Sequence, residues 1–90
     1  MKVRKMRLLR HKYGVLRRDL GELCGLSPQR ISEIELNPAP EVSDDTQRRL
    51  KSAFKMLIEQ RQKQMDDLRH DYMDMESSLL EGVEETTYEL

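Results

Sequence analysis

Residues 14–36, GVLRRDLGELCGLSPQRISEIEL, decide the fold. Leu16, Leu20, Leu23 and Cys24 recur at helical spacing and predict a helix of about two turns. Gly21 lies inside it, at a cost of about 1 kcal/mol relative to Ala, which implies a close helix crossing at that point. Gly25 ends this helix. Ser27 is an N-cap residue, and Pro28 stands at the first helical position, where its missing N–H does no harm. A second helix therefore follows at once, with Ile31 and Ile34 turned inward. Gln29, Arg30, Ser32 and Glu33 are left on its outer, hydrogen-bonding face.

Working outward, Val3, Met6, Leu9 and Tyr13 form one apolar stripe and predict a helix over residues 2–13. Lys2, Arg4, Lys5, Arg7 and Arg10 lie between them, mostly on the wet face, and Gly14 supplies a left-handed residue to end the helix. On the other side, Asn37-Pro38-Ala39-Pro40 is a linker. Ser43 caps a further helix, with Asp44 and Asp45 at its positive end.

Nothing stops that helix before Gly82. Over residues 44–81 it would extend about 57 Å at ~1.5 Å per residue, too far for its end to bury itself on a head this small. Leu50, Ala53, Phe54, Leu57 and Ile58 make its first apolar face. After the polar stretch Glu59 to Gln64, Met65, Leu68, Tyr72, Met75 and Leu79 alternate by three and four, a coiled-coil seam one stutter out of phase with the first face. The expected fold is all-α. A head of three short helices (residues 1–42) precedes one long C-terminal helix (43–81), whose first half packs on the head and whose second half is a dimerisation coil. Residues 82–90 are an acidic, flexible tail.

Composition bounds the rest. Of 90 residues, 37 % are hydrophobic and 37 % charged, with no Trp and one Phe, so the core is modest and association would help it. The lone Cys24 excludes an intramolecular disulfide and a multi-cysteine zinc site, and fits a reducing compartment. The basic start has no apolar stretch behind it, and the run Met56-Leu57-Ile58 is far too short to span a membrane. A cytoplasmic location is expected. Net charge is −1, but residues 1–35 hold nine Lys/Arg against four Asp/Glu, and residues 66–90 hold one against nine. A basic front and an acidic rear point to a polyanion-binding head and a tail with another task.

Other chemistry is thin. Helical spacing sets His70 beside Asp66, Asp67 and Asp74, with Asp71 adjacent, but no second His or companion Glu completes a metal set, and the group reads as a solvated acidic face. His11 sits among cations on the surface. Cys24 reads as a core residue rather than a nucleophile, and the six Met as gap-fillers. The Ser, His and Asp residues form no catalytic order, so no enzyme activity, metal or cofactor is expected.

Gly14, Leu20, Gly21, Gly25, Ser27, Ile31, Ile34 and Glu35 fall together in a further register. Between Leu9 and Glu35 the chain resembles the Cro/cI-type helix-turn-helix (XRE family) regulators of bacteria and phages. The resemblance implies that the helix opened by Pro28 enters the major groove of double-stranded DNA. Gln29 would then bond adenine N6 and N7, Glu33 would accept from cytosine N4, and Arg30 would take guanine or a phosphate, with Ser32 on the same face. Pro28 replaces a polar base reader of many relatives. By the same resemblance Arg17 holds a DNA phosphate at the start of the second helix, and Arg10 and Glu35 form a structural ion pair between the first and third helices. Leu16 departs from the family's Thr, Ser or Asn cap. Asn37 stands near a position where Gly is common, and Asn is tolerable there in a left-handed conformation. One long helix replaces the family's short fourth and fifth helices.

The implied function is a sequence-specific transcriptional regulator, a repressor that binds a palindromic operator as a homodimer, with half-sites ~34 Å apart, on a bacterial or phage nucleoid. The alternative is an antitoxin or phage accessory protein whose long helix and acidic tail bind a protein partner.

Overall fold

A computed structural model describes residues 2–84 of the chain. The described residues form α-helices α1 (Lys5–Lys12), α2 (Arg17–Cys24), α3 (Pro28–Leu36) and α4 (Asp44–Met75), then a 3-10 turn over Glu76–Ser78, and no strand. No described helix is long and apolar enough to cross a membrane. Of the expected 82–90 tail, residues 85–90 lie outside the described residues.

Local chemistry accounts for the helix ends. The Ser27 hydroxyl accepts from Arg30 N at 3.0 Å, and Pro28 opens α3. The Ser43 hydroxyl accepts from Thr46 N at 3.2 Å at the start of α4. Gly14 (φ 61°) and Gly25 (φ 73°) adopt the left-handed conformation that a Cβ disfavours, the first after α1 and the second closing α2. Asn37 is extended rather than left-handed, at φ −133° and ψ 93°. Pro38 follows it, and a residue before proline is pushed to extended backbone.

The first compact unit runs from Met1 to Gln60 and the second from Arg61 to Leu90. Leu50, Ala53 and Leu57 of α4 belong to the same buried cluster as Val15, Leu20, Cys24, Ile31 and Ile34. Without them α1–α3 would lack a covered core.

Four expected apolar positions are exposed instead. Leu16 is 53 % exposed because it is the extended N-cap residue of α2, where the helical period does not yet apply; Val15 before it turns inward instead. Leu9 and Tyr13 are exposed, Leu9 lining an apolar groove with Met6, Ile34, Val42, Leu50 and Phe54. Ile58 is 61 % exposed beside the buried Leu57. The wet face of α1 is also drier than expected: Arg10 is buried, and Arg4 and Arg7 are half-buried.

α4 stops at Met75, short of the expected residue 81, and Leu79 of the expected seam lies past the 3-10 turn. No basic residue supports its last turn, where Asp71 and Asp74 face the negative end of the helix dipole. The Ser78 hydroxyl then donates to the Met75 carbonyl at 3.4 Å, a local bond that competes with helix continuation.

Candidate nucleic-acid interface

α3 has two chemically distinct faces. Ile31, Ile34 and Glu35 are buried, whereas Gln29, Arg30 and Glu33 are exposed and Ser32 is half-buried. The four candidate base readers therefore do not share equal access, and Ser32 has the least. Arg30 Nη1 donates to Glu33 Oε2 at 3.4 Å, so two of them contact each other along the helix. Both ends of this pair are more than half exposed, and such surface pairs are worth about 0–1 kcal/mol. It is easily exchanged for other partners.

The inner face is held by a close backbone approach. A Cβ built on Gly21 would lie 2.4 Å from the Leu26 carbonyl oxygen and 3.4 Å from Ile31 Cδ1. The expected helix crossing is therefore mainly a folding-back of the α2–α3 turn onto α2. Gly21 O accepts from both Gly25 N (2.8 Å) and Leu26 N (3.1 Å), which secures the turn.

The far end of α3 is anchored by charge. The fully buried Glu35 accepts from Arg10 Nε at 2.7 Å and Arg10 Nη2 at 2.9 Å. Arg17 Nε lies 3.4 Å and Arg7 Nη1 3.8 Å from Glu35 Oε1. The sequence reading placed Arg10 with Glu35 and missed that Arg7 and Arg17 join them. Helical spacing was the available signal, since Arg7 and Arg10 are three residues apart on α1. Burial alone would raise the Glu35 pKa, but the hydrogen bonds and charges of Arg10, then Arg17, outweigh it and hold the carboxyl below its ordinary value. Three guanidinium groups around one carboxylate leave a positive surplus beside the first turn of α2. That turn has no side-chain cap on its backbone N–H groups.

Arg4 completes the frame. Its backbone N donates to the Glu35 carbonyl at 2.9 Å. Its Nη2 reaches the carbonyls of Pro40 (2.6 Å), Pro38 (3.3 Å) and Asn37 (3.5 Å), tying α1 to the linker that follows α3.

Met65, Leu68, Tyr72 and Met75 are exposed on the second half of α4, and Leu79 is exposed beyond it. Among the described residues no group of three or more His, Cys, Asp and Glu side chains is placed to hold a metal ion. Cys24 is a buried thiol. Comparison with protein-family models, curated proteins and solved structures gives no match.

Proposed function

We propose that this chain is a sequence-specific double-stranded-DNA-binding regulator, a repressor that occupies a palindromic operator as a homodimer, in the manner of Cro/cI-type helix-turn-helix proteins. The observation that carries the reading is the two-faced α3. An apolar inner face (Ile31, Ile34) and an anchored end (Glu35) hold out a flank of Gln29, Arg30 and Glu33. Lys and Arg of the head neutralise phosphates and supply salt-dependent, sequence-independent affinity. Arg17, in the uncapped first turn of α2, is the phosphate anchor. Gln29, Arg30, Glu33 and the less accessible Ser32 then discriminate between base edges, each good bidentate contact being worth about 1–3 kcal/mol. On contact the Arg30–Glu33 pair opens and each partner finds a base or phosphate.

Selection of bound sites from random duplex DNA tests this. The expected result is an inverted repeat with half-sites ~34 Å apart or a multiple of it. Absence of enrichment, together with no salt-dependent binding to any duplex, would overturn it.

A second reading has one observation in its favour. Leu80 (96 % exposed) and Val83 (63 % exposed) lie past the end of α4 beside Glu81 and Glu84, apolar side chains in acidic company. An antitoxin or accessory protein would use such a segment to hold a basic partner protein. Loss of DNA affinity in the full chain, with retained helicity, would favour it.

A further inference from the structure

Ile58 shows where the exposed stripe of α4 begins. Leu57 is buried in the core, yet Ile58 is 61 % exposed. From Ile58 the series Arg61, Met65, Leu68, Tyr72, Met75 runs at spacings of three, four, three, four and three. That is the repeat of one continuous coiled-coil seam, and its apolar members are all exposed. An offset of one residue beyond the heptad separates the core face (Leu50, Ala53, Leu57) from this seam, and the spacing within the seam itself does not change phase.

We propose that a second copy of this chain covers the seam, with the two α4 helices antiparallel. The inference rests on the homodimer reading above and adds the orientation and register. Charge decides the direction. Residues 46–63 hold six Lys/Arg and one Asp/Glu, whereas residues 64–81 hold one and six. A parallel pair in register sets the acidic stretches side by side, brings Asp71 of one copy near Glu76 of the other, and faces Arg61 with Arg61 inside the seam. Like charges so placed suppress that pairing.

An antiparallel pair removes all three conflicts. One register sets Met65 of each copy opposite Leu68 of the other, Ile58 opposite Met75, and Arg61 opposite Tyr72. The seam's only charged member then lies on an aromatic ring, a favourable cation–π partner. The Tyr72 hydroxyl donates to Glu76 Oε1 at 3.4 Å along the helix, so the same guanidinium also meets a carboxylate. Lys55 comes beside Glu76 of the other copy, and basic segments cover acidic ones.

Disulfide trapping in the full chain tests the register. Ile58→Cys and Met75→Cys are made separately, then oxidised alone and as a mixture, with the mass of the unmodified protein measured by light scattering. In the proposed register, identical positions of the two copies lie about 25 Å apart at ~1.5 Å per residue, beyond the ~7 Å Cα limit of a disulfide. The expected result is a covalent dimer in the mixture that joins position 58 to position 75, with none from either variant alone. Self-linkage of each variant would overturn the antiparallel arrangement and leave the homodimer standing. A dimeric mass with no linkage in any sample would overturn this register. A monomeric mass with no linkage would overturn both the pairing and the homodimer reading.

Discussion

Arg10 grips both carboxylate oxygens of Glu35, through Nε at 2.7 Å and Nη2 at 2.9 Å, while its third nitrogen donates to the Val15 carbonyl at 2.9 Å. One planar fork thereby joins α1, the α1–α2 turn and the last turn of α3. With Arg7 and Arg17 close by, the node sets the end of the helix that carries Gln29 and Arg30.

Glu35→Ala leaves this cationic group without its counter-charge. Removing one side of a buried pair costs about 3–5 kcal/mol. Urea unfolding should show a large drop in midpoint with little change in slope. A drop no larger than that of an exposed Glu33→Ala control would show that the node is energetically minor.

The same carboxylate predicts an acid dependence. Its pKa is lowered in the folded chain, so its stabilisation is fully present above the unfolded value, about 4.3 for Glu, and is lost as pH falls through the folded value. Thermal stability should be flat with respect to this group from neutral pH down to the ordinary carboxylate range, then fall. In Glu35→Gln that part of the acid-induced loss should vanish. Superimposable acid profiles for Gln and wild type would contradict the assignment.

Gly21→Ala sets two effects against each other. Helix propensity favours Ala by about 1 kcal/mol, but the new Cβ would meet the Leu26 carbonyl oxygen at 2.4 Å. A backbone atom yields less readily than a side chain, and overpacking of this kind typically costs about 1–3 kcal/mol. Net destabilisation is expected in thermal melts, whereas a stabilised variant would mean that the turn relaxes freely.

On DNA, Gln29→Ala should relax sequence preference and leave non-specific affinity nearly intact. Uniform loss on all duplexes would exclude base reading. Arg17→Ala should weaken binding to every sequence and lower the salt slope by about one. Because Arg17 also touches Glu35, the unfolding midpoint of this variant has to be measured alongside. An unchanged slope would exclude a phosphate contact.

Sequence reading and structure part company at identifiable residues. The caps at Ser27 and Ser43, the left-handed Gly14 and Gly25, the Pro28 start and the inward Ile31 and Ile34 were all legible, because each depends on chemistry within a few neighbouring residues. Asn37 is extended because the proline after it outweighs its own tolerance of left-handed backbone. Leu16 and Ile58 misled because periodicity says that a residue lies on an apolar stripe but not where the covering core ends. The early stop of α4 was written in its unfavourable terminal charges but needed the Ser78 contact to become visible.

The one-dimensional chain, then, determined the all-α class, the helix order and the polar flank of α3, since caps, turns and helical period are local properties. Tertiary structure alone decided that Arg7 and Arg17 join Arg10 at Glu35, that Gly21 is required by the Leu26 carbonyl, and that Leu9, Tyr13 and Ile58 lie outside the core. Those relations join residues distant in sequence, or turn on atomic clearance, and spacing along a chain carries neither.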